Sequence, residues 1–373
     1  MTNISHSVKN VCMSILDPFS ELLSFFRSQR IVGLDIGSRY IKVIEIKDTS
    51  KGFQVERFGI MPIEPELIVD GSILDSLRVV DGLKALFQNT GIKTKNVTIS
   101  VSGHSSVIIK RITLPEMTED ELTESIRFEA EQYIPFDIDD VNLDFHILGP
   151  TEEADQMEVL LVAVKKDKIN EYVSVVQEAD LTPAVVDVDA FALENAYEIN
   201  YDIESEQNVA LVNVGASRIN LNILKSGVSV FTRDSSVGSN IQTEAIQKEL
   251  GLTFEDAERL KHGETIEEVS EEDADAIIQN SSEDIINEIS RSLDYFKGTF
   301  MHEDVHKVML SGGCILIKGF QQRLAELTGM EVEMIDPFRN VRIGKTLDKD
   351  MLREVAPQLV IAMGLAVRRI GDR

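Results

Sequence analysis

Two glycine turns, each set between β-rich strands and spaced 178 residues apart, constrain this chain more than any other feature. In the first, residues 31–36 read as a buried strand and Gly37 and Ser38 as a tight turn. Residues 40–47 follow as a strand in which Ile41, Val43, Ile44 and Ile46 are apolar. The second repeats the layout over residues 208–225. Aligning Asp35-Ile36-Gly37-Ser38 with Asn213-Val214-Gly215-Ala216 brings the flanking strands into register, as an internal duplication would. A Rossmann loop or a P-loop needs a helix directly after its glycines, so strand–turn–strand excludes both. Gly344-Lys345-Thr346 fails as a Walker A loop because position 339 is Arg where glycine is needed.

A tight glycine turn exposes backbone N–H groups that can hold phosphate oxygens. An acidic residue beside it can hold Mg²⁺, usually through water. Two such turns facing each other would clamp a nucleotide's phosphates from both sides. A lone glycine turn is common and says little; the pair is what carries the reading. A third glycine element, Ser311-Gly312-Gly313-Cys314, follows a short strand over residues 307–310. Missing side chains there would let a flat ring lie against the backbone, although a plain strand-to-helix loop has the same spacing.

Composition narrows the function classes. The 373 residues suggest two or three domains, and 43% hydrophobic content excludes a wholly disordered chain. The chain holds 64 acidic and 37 basic side chains, a net charge of −27. That argues against a nonspecific nucleic-acid binder and against docking on an anionic membrane. Cys12 and Cys314 form no disulfide framework or metal cluster, so a reducing compartment is expected. No run of 18 or more apolar residues is present, and no signal peptide is recognised, so the expected location is cytoplasmic. Residues 1–30 carry a helical stripe from Ile4 through Val8, Val11, Ile15, Phe19 and Leu22 to Phe26, broken near Pro18. It reads as an amphipathic extension that packs on its own domain, on a second copy, or on a membrane or partner, with disorder as the remaining reading.

With these motifs in place, the chain resembles the actin-like ATPase superfamily, which also includes Hsp70, FtsA and sugar kinases. The resemblance implies an α/β fold of two duplicated RNase H-like lobes with an inserted 1C subdomain. It implies ATP and Mg²⁺ as cofactors. The phosphate-1 motif would span residues 33–38, with Asp35, Gly37, Ser38, Arg39 and Lys42 at the nucleotide and Asp35 as metal ligand and catalytic residue. Phosphate 2 would span residues 212–217, with Asn213, Gly215, Ala216 and Ser217. The adenosine motif would contribute Gly312 and Gly313, and a closing helix would run from about Pro357 through Gly364 to Arg368. Glu258 and Lys261 would contact ribose and adenine; their i, i+3 spacing puts them on one helix face, as in an ordinary salt bridge. Asp187 is expected to orient water on the γ-phosphate, a role that Asp189 fits equally on spacing, with helix capping as the plain alternative. Asn213 stands where the superfamily usually has Asp, which removes a charge near Mg²⁺ and points to slow or absent hydrolysis.

Within the superfamily the chain is most similar to the PilM family of type IV pilus assembly proteins, over residues 31–370. The stretches that carry this are residues 126–137, Val186 to Ala192, Phe231-Thr232-Arg233-Asp234 and Ser292 to Phe296. The implied organisation is 1–30 extension, 31–95 first part of 1A, 96–180 the 1C insertion and 181–205 the 1A core helix. It continues with 206–240 first part of 2A, 241–290 subdomain 2B, 291–355 second part of 2A and 356–373 closing helix. The residues of 96–180 agree with a β-plus-helix module: strands over 97–102, 106–112 and 157–164, a capping box at Thr118 to Glu121, and a helix over 168–179. Such a module offers sheet edges and grooves to a peptide.

The family resemblance implies a partner more than a reaction. That partner is the cytoplasmic N-terminal peptide of PilN, a bitopic inner-membrane protein, seated between 1A and 1C. It further implies contact with pilus motor ATPases and the platform protein, membrane association only through partners, no nucleic acid, and a homo-oligomer as an open alternative. Two other readings stay open at this stage: an FtsA-like filament protein, although no amphipathic C-terminal helix follows Arg369, and a sugar or acid kinase on the same fold. His302-Glu303-Asp304-Val305-His306 matches a zincin motif, but the required continuous helix is not expected there. The acid-rich run from Glu264 to Asp284 reads as a solvated face.

Overall fold

The computed structural model describes residues 31–151, 155–203, 207–267, 269–300 and 303–371. The N-terminal stripe and His302 of the zincin-like motif lie outside the described residues. The chain starts with β1 (Val32–Ile36), β2 (Tyr40–Thr49) and β3 (Gly52–Pro62), an antiparallel meander. A small hairpin of β4 (Ile68–Val69) and β5 (Ser72–Ile73) leads to α1 (Ser76–Thr90). Asp75 caps α1 at its N-terminus and Gly91 closes it in the left-handed conformation, φ +66°. Val79, Val80, Leu83, Leu86 and Phe87 form the buried stripe of α1 at helical spacing. Strand β6 (Asn96–Val101) then pairs parallel to β1.

A separate antiparallel sheet follows, of β7 (Val107–Pro115), β8 (Val141–Pro150) and β9 (Gln156–Lys165), in the order β7-β9-β8. Helix α2 (Glu119–Ala130) covers it, started by the capping box expected at Thr118 and Glu121. Its core is its own: Ile112, Leu114, Leu122, Ile126, Val159 and Leu161 cluster together. Helix α3 (Lys166–Glu178) and β10 (Thr182–Val188) return the chain to the first sheet, whose order is β10-β6-β1-β2-β3-β16. The inserted module is therefore narrower than residues 96–180. Asn96–Val101 belongs to the main sheet, and α3 packs its Tyr172, Val175 and Val176 into that lobe's core. The segment 181–205, read as one core helix, is a strand, β10, followed by α4 (Asp189–Glu198).

The second lobe repeats the first. Strands β11 (Asn208–Val214), β12 (Ile219–Lys225) and β13 (Val228–Ser235) form a meander, and β14 (Lys307–Ser311) and β15 (Glu331–Met334) add in parallel. The order β13-β12-β11-β14-β15 matches β3-β2-β1-β6-β10 strand for strand, with the same parallel and antiparallel pairings. Helices α5 (Asn240–Leu250), α6 (Phe254–Lys261) and the long α7 (Glu271–Thr299) build the rest of this lobe. The acid-rich run opens α7, where carboxylates at Glu271, Glu272 and Asp273 favour the positive end of the helix. After α8 (Phe320–Thr328), strand β16 (Arg342–Ile343) crosses back to pair with β3.

Helices α9 (Lys349–Val355) and α10 (Val360–Ala366) close the chain between the lobes. Every residue of α10 is buried. It lies so close to β1 and α4 that a Cβ on Gly33 would stand 2.0 Å from the Ala362 carbonyl oxygen, and one on Gly364 1.6 Å from that of Ala192. Only glycine permits both approaches.

Candidate functional site

The two glycine turns face each other across the interlobe cleft, and they are closed in the same way. Gly37 N–H donates to the Tyr40 carbonyl at 3.1 Å; Gly215 N–H donates to the Arg218 carbonyl at 2.8 Å. Behind each turn the equivalent cross-strand pair differs in charge. Lys42 Nζ donates to Asp35 Oδ2 at 2.8 Å, whereas Asn213 Nδ2 donates to Asn220 Oδ1 at 3.0 Å. The turns touch through Ser217 Oγ and Ser38 Oγ, 2.8 Å apart. Gly312, at φ +96°, lies against the second turn's strand: a Cβ there would come within 2.2 Å of the Val214 carbonyl oxygen. Gly313 lines the same cleft.

The far wall is α6, capped by Thr253. Lys261 Nζ and Thr243 Oγ1 both donate to Glu258 Oε1, and Arg39 Nε stands 3.5 Å from the other oxygen. Burial pushes the Glu258 carboxyl up, but the Lys261 charge and these hydrogen bonds outweigh it and hold the group below its ordinary value. Arg39 also lies over the Phe254 ring at 4.8 Å. Four permanent cations, Arg39, Lys42, Arg218 and Lys261, line the cleft against three carboxylates, Asp35, Asp189 and Glu258. In a chain of net charge −27 this local surplus is the electrostatics of an anion site.

The structure brings together every residue expected at the nucleotide except one. Asp35, Gly37, Ser38, Arg39, Lys42, Asn213, Gly215, Ala216, Ser217, Glu258, Lys261, Gly312 and Gly313 all line the cleft. Asp187 does not. Its carboxylate points away and accepts from Arg368 Nε at 2.7 Å and from Val188 N–H at 2.8 Å. The strand ends at Val188, and the change to helix turns the next carboxylate, Asp189, into the cleft. Ser100 Oγ donates to Asp189 Oδ1 at 2.6 Å. Burial, and then the Asp35 charge, push the Asp189 carboxyl up to about 6.

Arg218 was not singled out from sequence, and Asp234 was named only within a stretch that carries the family resemblance, without a role. Arg218 Nη1 donates to the Ser102 carbonyl at 2.8 Å. Asp234 accepts from Asn220 Nδ2 at 2.9 Å with one oxygen and from Gly103 N–H at 2.6 Å with the other. A chain of hydrogen bonds thus runs from Asn213 through Asn220 and Asp234 to Gly103, the point where the inserted module leaves the first lobe. Arg218 occupies the turn position held by Tyr40 in the first repeat, and that mismatch was the available signal.

A second cavity, of about 670 Å³, lies between β8 and β9 of the module, the end of β10, α4 and the β12–β13 hairpin. Its apolar walls include Leu148, Leu160, Val162, Val164 and Phe191. Strand β8 is the outer strand of its sheet and pairs only with β9 among the described residues, leaving its other edge unpaired.

This geometry is that of an actin-like ATPase fold: two repeated lobes, facing glycine turns and a closing helix, with an extra module on the first lobe. Comparison with known proteins agrees and is more specific. The family described as "Type IV pilus assembly protein PilM" matches residues 33–370, and the chain belongs to that family. A solved "PilM-PilN type IV pilus biogenesis complex" superposes with a TM-score of 0.81 at 25% identity, covering 93% of this chain and 100% of that one. The ethanolamine utilization protein EutJ of Carboxydothermus hydrogenoformans shares the fold at a TM-score of 0.55 and 14% identity, covering 90% of this chain and 88% of its own. MreB5 of Spiroplasma citri, solved bound to ADP, shares it at 0.51 and 12% identity, covering 90% and 95%.

Proposed function

We propose that this protein is an ATP-binding adaptor of the type IV pilus assembly platform. Its groove takes the cytoplasmic N-terminal segment of a PilN-like bitopic membrane protein. It thereby sits at the inner membrane through that partner and links the pilus motor ATPases and platform protein to the envelope complex, in support of pilus biogenesis and twitching motility. The observation that carries the reading is the groove itself. An apolar, concave surface runs beside the unpaired edge of β8, on a chain of the family whose solved relative is a complex with PilN. No helix among the described residues is long and apolar enough to cross a membrane, which fits recruitment by a partner.

The cleft is suited to the phosphates of ATP by its facing glycine turns and its surplus of cations. Asp35 is the residue for Mg²⁺, with Asp189 placed to accept from a metal-bound water; Mg²⁺ commonly needs only one or two protein carboxylates beside phosphate and water. The bound metal would neutralise phosphate charge. Asn213 offers a neutral amide where a second carboxylate would polarise water, so turnover is slow or absent. The free space in the cleft is about 110 Å³, and the Ser38–Ser217 contact spans it, so a triphosphate has to part the turns. The hydrogen bonds from Asn220 through Asp234 to Gly103 would connect that motion to the module that lines the groove.

The test is calorimetric titration of the protein with the cytoplasmic N-terminal peptide of the PilN-like protein from the same organism. Saturable binding lost in Leu148→Asp supports the proposal. No binding by the folded wild type contradicts it.

A further inference from the structure

The groove is apolar on its walls but anionic at one end. Among the described residues four carboxylates line it: Asp144 on β8, Asp187 at the end of β10, and Glu194 and Glu198 one turn apart on α4. Among the described residues, Arg368 is the one permanent cation that lines it, and it is committed to Asp187 at 2.7 Å. Glu194 has only a long contact, 3.3 Å, from the Asn222 amide. Beside it, Asn195 Nδ2 is buried and has no hydrogen-bond partner among the described residues. An apolar segment entering this groove would strip water from Asp144, Glu194 and Glu198, which form no salt bridge among the described residues, and that is unfavourable for any of them that is ionised unless the segment brings a counter-ion.

Resting on the reading of this groove as a partner site, we infer that the bound segment carries a Lys or Arg side chain that docks on Glu194. The pairing selects among apolar segments: a neutral residue at that position gains nothing from Glu194, and an acidic one meets the carboxylates of Glu198 and Asp144. The groups facing Glu194 are Glu198 on its own helix, Asp187 and Arg368 beside it, and Asn222 from β12; Asp144 and His146 line the groove from β8. Burial, and then the charge of Glu198, push the Glu194 carboxyl up to about 8. It is therefore largely protonated when the groove is empty at neutral pH, and docking of a cation expels that proton. Binding strengthens as pH rises toward 8, by at most about tenfold per pH unit for a single proton.

The experiment titrates the full chain with the PilN-like N-terminal peptide, labelled at its C-terminus, at pH 6.5 and 8.5. Each Lys is replaced in turn by norleucine and each Arg by citrulline, and one version is N-acetylated. One replacement should weaken binding about tenfold or more to wild type and little to Glu194→Gln. The gain in affinity between the two pH values should vanish in Glu194→Gln and survive in Glu198→Gln, which also separates Glu194 from His146 and Asp144. If every neutral replacement binds within about twofold of the parent peptide, the inference falls while the groove stands as the partner site. If only N-acetylation weakens binding, the cation is the chain's terminal amine and the side-chain assignment is wrong. If the parent peptide does not bind folded protein at all, the proposed function itself fails.

Discussion

Asp187 and Asp189 are two residues apart, and one change of backbone from strand to helix sends them to different cavities. Local spacing named both, but only the structure shows which one meets the glycine turns. Their environments are legible in titration. The Asp189 carboxyl, near 6, and that of Glu194, near 8, stand above the ordinary carboxylate values, so the folded protein binds these protons more tightly than the unfolded chain. The stability they give is fully present below about pH 4 and is lost as pH rises through 6 and then 8. Asp189→Asn should flatten the lower part of this fall and Glu194→Gln the upper part, in urea denaturation followed from pH 4 to 9. Curves identical to wild type would contradict the burial of these groups. Gly312→Ala should destabilise by about 2–4 kcal/mol, because its φ of +96° and the Val214 carbonyl leave no room for a methyl group. A thermal melt decides it. Arg368→Leu strands the buried Asp187 and should cost about 3–5 kcal/mol; a loss under about 1 kcal/mol would show the pair to be dispensable.

At the scale of elements, the hairpins, the capping box of α2 and the strand–helix order of the module were readable from period and turn chemistry. Which sheet a strand joins was not. Strand β6 has the same apolar pattern whether it pairs with β1 or with β7, and only the packing of α1 and α3 beneath the first sheet decides. Long-range side-chain bonds were likewise invisible, since Arg218 to Ser102 and Asp234 to Gly103 join residues more than a hundred positions apart. These two bonds fasten the second lobe to the root of the module. Asp234→Ala should speed amide exchange at Gly103 and neighbouring residues by about tenfold, leaving the core strand β11 protected. Unchanged exchange would show that the module is held by its apolar contacts alone.

At the scale of the whole molecule, the repeat of two glycine hairpins fixed the expectation of two like lobes, and the matching strand order bears it out. What the repeat could not convey is the state of the cleft. Ser38 and Ser217 meet across it, so on the proposed function a nucleotide would have to separate the lobes locally before its phosphates reached the turns. A Ser38→Cys and Ser217→Cys double variant, with Cys12 replaced by serine, should form a disulfide and lose nucleotide binding until it is reduced. Binding equal to wild type while oxidised would place the phosphates elsewhere. The most direct test of the account is calorimetry of Mg·ATP on nucleotide-free protein, with Asp35→Ala beside it. The account predicts saturable binding by wild type, about tenfold or more weaker in Asp35→Ala, with little ADP formed. Folded wild-type protein that gives no binding heat and no shift in thermal stability with Mg·ATP would mean that the facing glycine turns are a scaffold and not a nucleotide site.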